Sequence, residues 1–216
     1  MNDRATIKAR AKDTLNRYWG PCIGVLVLYT IINAVVAVPS MGIGTLFLMP
    51  PLTVGMTMFF LGVWRRHQPA FETMFNGFHR YTQSLIGILW MDLWIFLWSL
   101  LLVIPGIYKS LAYSMTPYLI ADNPDLDPRK ALKVSMAITN GHKAEILVMY
   151  LSFFGWLLLS GLTMGILYVV YVGPYMELSM AGLYEALLDD ALDSGAVTQS
   201  DLSGWSASRQ QRYMED

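Results

Sequence analysis

The chain is short of charge and nearly without cysteine. Only 14% of its 216 residues are Asp, Glu, Lys or Arg, while 55% are hydrophobic; soluble domains carry charge on about a quarter of their residues. That scarcity excludes an ordinary soluble domain and makes a bilayer the expected solvent. A net charge of -1 offers no basic surface to nucleic acid, so none is expected as a partner. The single cysteine, Cys22, excludes an internal disulfide and a cysteine metal cluster, and its apolar setting points to a buried thiol. HExxH, Gly-x-Ser-x-Gly and Walker patterns are also missing. No catalytic residue, cofactor or metal is therefore expected. His142 and Glu145 have helical i, i+3 spacing, but no second such pair joins them.

What the chain has instead is long apolar runs, near 19–38, 43–64, 83–104, 107–121, 144–161 and 165–188. About 20 such residues cross a hydrocarbon core about 30 Å thick. The expected fold is all-α, a polytopic helical membrane protein of about six transmembrane helices preceded by a basic amphipathic helix. Residues 1–18 form that helix, with Ile7, Ala11 and Leu15 on one face and Lys and Arg on the others. It either lies on an anionic leaflet or leads into the first span. The run from Cys22 to Val38 outlasts a signal-peptide core and lacks a small-x-small cleavage site, so it is read as a retained span. Residues 19–189 are the transmembrane domain. Residues 190–216 turn polar and Ser-rich and are expected to be a disordered cytoplasmic tail, with Trp205 its one large anchor.

Orientation follows from Lys and Arg, which favour the cytoplasmic side of short loops. Arg65, Arg66 and Arg80 fall in one loop and Arg129, Lys130, Lys133 and Lys143 in another, while loops 39–42 and 162–164 have no Lys or Arg. Six crossings with both termini inside keep all these charges cytoplasmic. Residues 107–121 are short and contain Lys109, so a five-crossing alternative makes them re-entrant or interfacial. Pro50-Pro51 is expected to bend or break its helix, and Pro105-Gly106 to turn the chain into an antiparallel hairpin. Asp127-Pro128 reads as N-cap and first residue of a short helix. Pro50-Pro51 has a rough counterpart in Gly173-Pro174, without further matching flanks to support an inverted repeat.

Ionisable groups inside a span cost about 2.5–3.5 kcal/mol or more at its centre and are functional candidates by default. The candidate intramembrane polar site is Asp92, Lys109, Tyr113 and Glu177. Asp92 and Glu177 are placed at a common depth, where they could share a proton or a cation. Trp90, Trp94 and Trp98 form a stripe opposite Asp92, so an inward Asp92 sends the tryptophans to lipid or another subunit. Lys109 can also snorkel to the interface, and Asp92 can be a buried acid satisfied by neighbouring hydroxyls.

The stretch from Pro105 to Tyr184 carries a resemblance. PGI followed by Lys109, then Tyr113, Met115, Tyr118, Asp122-Asn123-Pro124, Ala131-Leu132, Ser135, Gly141-His142-Lys143, Leu151-Ser152-Phe153, Gly155-Trp156 and Pro174-Tyr175 resemble a family of bacterial integral membrane proteins catalogued as a domain of unknown function, family 975. Lys8, Ala11-Lys12, Leu15 and Trp19 fit it too. The resemblance implies a multi-span bacterial protein and no particular activity. The functional expectation is a non-enzymatic cytoplasmic (inner) membrane protein that binds membrane partners or supports the envelope. Its partners would be the lipid bilayer and other proteins or copies of itself. The alternative is a small permease or ion-coupled transporter using Asp92 and Glu177.

Overall fold

The computed structural model of the chain describes residues 4–67, 70–101, 103–123 and 125–202. These are helical throughout, without a strand among the described residues. In chain order they form α1 (Arg4–Arg17), α2 (Trp19–Ala37), α3 (Ile43–Trp64), a 3-10 helix (Phe71–Phe78), α4 (Tyr81–Leu101) and α5 (Val103–Tyr113). There follow α6 (Thr116–Asp122), α7 (Pro128–Ile138), α8 (Lys143–Leu151), α9 (Phe154–Leu162), a π turn (Tyr168–Val172) and α10 (Gly173–Asp193). Among the described residues, four helical segments are long and apolar enough to cross a membrane: α2, α3, Tyr81–Leu100 of α4, and α8 with α9 taken together. That count is compatible with a membrane protein, and it differs from six in two places. Residues 107–121 are split between α5 and α6 by a turn at Ser114-Met115, and 165–188 lie in a more polar rod that ends in α10. α10 is the centre of the molecule, with most of its length buried.

Two of the helical hairpins are built alike. Ser40-Met41-Gly42-Ile43 joins α2 to α3, and Thr163-Met164-Gly165-Ile166 follows α9. In both, Met and Gly take left-handed backbone, φ 50° and 86° in the first and 52° and 84° in the second. The amide four residues after the Ser or Thr donates to its hydroxyl, Gly44 N to Ser40 Oγ at 3.0 Å and Leu167 N to Thr163 Oγ1 at 3.2 Å. Pro50-Pro51 and Gly173-Pro174 both begin eight residues after the turn glycine (50 - 42 and 173 - 165). The two turns share one end of the molecule, since Met164, Gly165 and Ile166 line a cavity with Thr30 and Asn33 of α2. The two turns thus match in backbone angles and hydroxyl contact and lie at the same end, as in a parallel repeat and not the inverted one considered from sequence. The opposite end carries Arg65, Arg129, Lys130 and Lys143 and is called the basic end below.

Other expectations change for local reasons. α3 is assigned as helix through Pro50-Pro51 without a break, and both prolines are buried. The reversal between α4 and α5 precedes Pro105, which falls in the first turn of α5, where a missing amide donor costs least. α1 does not keep its apolar stripe for lipid: Ile7, Ala11 and Leu15 are buried in the protein core, and α1 packs mainly on α10. The stretch expected to be a disordered tail is ordered at its start. α10 continues to Asp193, Val197 and Leu202 are buried, and a Thr198/Asp201 capping box closes a 3-10 turn. Lys130 Nζ reaches Ser200 O at 3.2 Å and Asp201 at 3.6 Å. Trp205 lies outside the described residues.

α7 starts as its sequence suggests, with Asp127 Oδ1 accepting from Arg129 N at 2.8 Å and Lys130 N at 3.3 Å. Asp127→Ala leaves these first-turn donors to water and is expected to cost about 1 kcal/mol. Thermal unfolding of the detergent-solubilised protein measures it; an unchanged midpoint would show that α7 is held by its packing alone.

Candidate functional site

α10 carries polar side chains along one run, and they connect two ends of a single assembly. Near its start, Gly173 brings the backbone against Leu26 of α2. One turn later Glu177 borders a cavity of about 800 Å³ walled by α2, α3 and the π turn. Tyr29, Thr30 and Asn33 of α2, Thr53 of α3 and Tyr168 of the π turn supply the other polar groups. Leu26, Met56, Val169 and Val170 complete an otherwise apolar wall. The π turn is the local device here: its wider coil interrupts the α-helical register just ahead of Gly173-Pro174, as π turns often do at functional sites. Tyr118 of α6 approaches from behind, its hydroxyl 3.4 Å from Glu177 Oε2.

Tyr118 also stacks on Tyr184, two turns further along α10, at 5.5 Å between ring centroids and 24° between planes. The Tyr184 hydroxyl donates to Asp122 Oδ2 at 3.1 Å. Asp122 Oδ1 in turn takes Arg65 Nη1 at 2.7 Å, while Arg65 Nε donates to Glu185 Oε1 at 2.8 Å. The side chains of Arg65, Asp122 and Glu185 are 8%, 3% and 6% exposed. Burial works against the Arg65 charge, yet the two carboxylates outweigh it and hold its pKa above the ordinary value, so the guanidinium stays charged. One arginine thus ties the C-terminus of α3 to the end of α6 and to α10. On the far side of α10, Lys8 of α1 donates to Ser152 Oγ at 2.9 Å and lies 4.3 Å from the Phe153 ring. Ser152 and Phe153 form the break between α8 and α9.

The residues singled out from sequence do not form one site. Glu177 lines the cavity, whereas Asp92 is exposed on α4 beside Leu93 and Phe96. The expected carboxylate pair is therefore not assembled. Lys109 and Tyr113 are neighbours, with Nζ 5.5 Å from the ring centre, but Lys109 turns to Trp98 at 5.4 Å and Met136 Sδ at 3.9 Å. The tryptophan stripe faces the protein rather than lipid: Arg129 stands 5.4 Å from the Trp90 ring. Asp92 projects away from that stripe, so packing the tryptophans against α5 and α7 leaves Asp92 outside. Sequence reasoning missed Arg65, Asp122, Tyr184 and Glu185. Arg65 had been read only as a loop charge and Asp122 only as part of the Asp122-Asn123-Pro124 motif. Glu185 was the visible signal, a second acid beside Glu177 within the apolar run 165–188.

Residues 100–191 match the model of a family described as Protein of unknown function (DUF975). The match bears out the resemblance over that stretch and leaves the pattern from Lys8 to Trp19 outside it. No curated protein and no solved structure matches the chain.

Proposed function

We propose that this DUF975-matching chain is a non-enzymatic, multi-pass protein of a bacterial cytoplasmic membrane that binds a small amphiphilic cation in the cavity between α2, α3 and α10 and passes it across, as a small permease does. The observation that carries this reading is the convergence of Tyr29, Thr30, Asn33, Thr53, Tyr168 and Glu177 on one cavity of about 800 Å³. Ligand sites are commonly apolar clefts of about 300–1,000 Å³ with a few convergent polar groups. A carboxyl group within a span is costly unless a partner satisfies it, and one tyrosine hydroxyl at 3.4 Å leaves acceptor capacity for a guest. The positive-inside rule puts the basic end, with Arg65, Arg129, Lys130 and Lys143, in the cytoplasm together with both termini. A role in binding membrane partners or supporting the envelope leaves this cavity without a purpose.

Tetraphenylphosphonium is a suitable probe, being a lipophilic cation. Equilibrium dialysis with the purified protein is expected to show saturable binding, and proteoliposomes with an inside-negative potential to show saturable uptake. Glu177→Gln should weaken binding at least about tenfold, equivalent to about 1.4 kcal/mol, while Asp92→Asn leaves it unchanged. Absence of saturable binding to the unaltered protein, or full binding by Glu177→Gln, would refute the assignment.

A further inference from the structure

The hairpin of α4 and α5 lies outside the repeated unit, and its contacts keep it at the basic end. Ala112 O accepts from Ser135 Oγ at 2.8 Å and Thr139 Oγ1 at 3.2 Å. Thr139 directly precedes the loop in which His142 Nε2 meets Asp190 Oδ2 at 3.2 Å, near the last turn of α10. α5 is thus tied to the cytoplasmic layer at its C-terminal half. A helix rises about 1.5 Å per residue, so the nine residues from Ala112 back to Val103 reach no further than about 14 Å. The path from Lys143 through α8 and α9 to Leu162 is about 29 Å by the same measure. Even a perpendicular α5 would bring the hairpin tip less than halfway across. It is not perpendicular, because Tyr108, only five residues from Val103, still lies 4.6 Å from Lys143 Nζ.

The surface of the hairpin has two characters. Toward the protein, cations stand over aromatic rings: Arg129 over Trp90, Lys109 over Trp98 and Lys143 over Tyr108. That pairing of amphipathic rings with basic side chains is the composition of a headgroup layer. Away from the protein, Leu93, Phe96, Leu100, Val103 and Ile104 are exposed, Leu100 by 73% and Ile104 by 80%. Between the hairpin and α8, a cleft of about 490 Å³ is walled chiefly by Met91, Ile95, Ile107, Leu111, Leu147 and Tyr150. Water at these faces would be costly, while acyl chains fill them without penalty. All basic loops remain cytoplasmic if only α2, α3, α8–α9 and the π turn with α10 cross, with α4, although long and apolar enough to cross, lying along the leaflet beside α5.

We propose that the α4–α5 hairpin is a re-entrant arm seated in the cytoplasmic leaflet, its exposed face and the cleft against α8 occupied by lipid acyl chains, so that the chain crosses the membrane four times. The arm enters and leaves on the same side. Both termini stay cytoplasmic, and the parallel repeat accounts for all four crossings.

The test uses the full chain with Cys22→Ala and single cysteines at exposed positions. Met41→Cys and Met164→Cys mark the two turns, which are 94% and 96% exposed. Ile104→Cys marks the arm, with Val103→Cys as a second position should the first impair folding. In right-side-out vesicles a membrane-impermeant maleimide should label the turn cysteines from outside, and the arm cysteine at least about tenfold more slowly, because maleimide does not enter hydrocarbon. A nitroxide at 104 should show high oxygen and low nickel-chelate exposure, at a depth between the bilayer midplane and the cytoplasmic headgroups. Labelling of the arm from outside as fast as at Met41→Cys, or a nitroxide depth in the outer leaflet, overturns the proposal. Low oxygen exposure with spin–spin coupling between copies overturns it in favour of a second copy of the chain against this face.

Discussion

Arg65→Met is expected to destabilise the protein by about 3–5 kcal/mol, because it removes the guanidinium that the buried carboxylates of Asp122 and Glu185 share. The geometry makes the loss large. The guanidinium reaches Asp122 at 2.7 Å and Glu185 at 2.7–2.8 Å, with all three side chains less than a tenth exposed. Three separate elements lose their tie at once: the C-terminus of α3, the end of α6 and the middle of α10. Arg65→Lys keeps a charge but cannot span both acids with one planar group, so it should lie between the wild type and Arg65→Met. Unfolding of the detergent-solubilised protein by chemical denaturant measures the series. A loss below about 1 kcal/mol for Arg65→Met, the range of exposed ion pairs, would mean that water reaches the network and that it does not fasten the basic end. Replacing Arg65, Asp122 and Glu185 together by apolar residues of similar size should recover part of the loss, since both carboxylates leave with the guanidinium.

Gly55→Ala is the second large effect, expected at about 3 kcal/mol or more. The 3-10 helix Phe71–Phe78 lies directly on α3, with Met74 fully buried beneath it. A methyl group added at Gly55 would overlap the Met74 carbonyl, and one at Gly77 would overlap the Pro51 carbonyl. Both obstacles are backbone, which cannot rotate aside as a side chain can. Overpacking commonly costs about 1–3 kcal/mol when side chains yield; here the two elements must separate. Gly55→Ala and Gly77→Ala should be non-additive, because either substitution already lifts the same helix. Gly155→Ala, where nothing stands within 4 Å of the added carbon, is the control that should leave the unfolding midpoint unchanged. Equal midpoints for Gly55→Ala and Gly155→Ala would show that the 3-10 helix is not seated on α3.

These two contacts show where sequence reasoning stops. The limits of α3 were readable to the residue, because a long apolar run ends at Arg65 and begins after a Gly turn. The 3-10 helix was read as part of a polar loop, because FETMFNGF has neither the length nor the period of a regular element. Its placement comes from two glycines on different segments that permit close approach, and spacing along the chain does not reveal such a pairing. Glu177 was recognised as a costly acid within a span and does line the cavity. Asp92 was recognised by the same rule and stands outside, because helical phase distinguishes the two faces of α4 without saying which one the protein covers. The tryptophans settled that choice by packing toward Lys109 and Arg129.

The sequence by itself determined the helical class, the apolar character of the longest segments and the Asp127 cap, since composition, periodicity and capping act within a few residues. It also carried both copies of the Ser/Thr-Met-Gly-Ile turn, although their equivalence became evident only from matching backbone angles and hydroxyl contacts. The tertiary structure alone decided that α1 is spent on α10, that Arg65 joins three elements, and that six polar groups from α2, α3, the π turn and α10 share one cavity. It also decided that α5 stays beside Thr139 and Lys143. The physical reason is the same in each case: apolar helices of similar length are nearly interchangeable by hydrophobicity, and which faces meet is chosen by a few polar pairs and close backbone contacts between residues far apart in the chain.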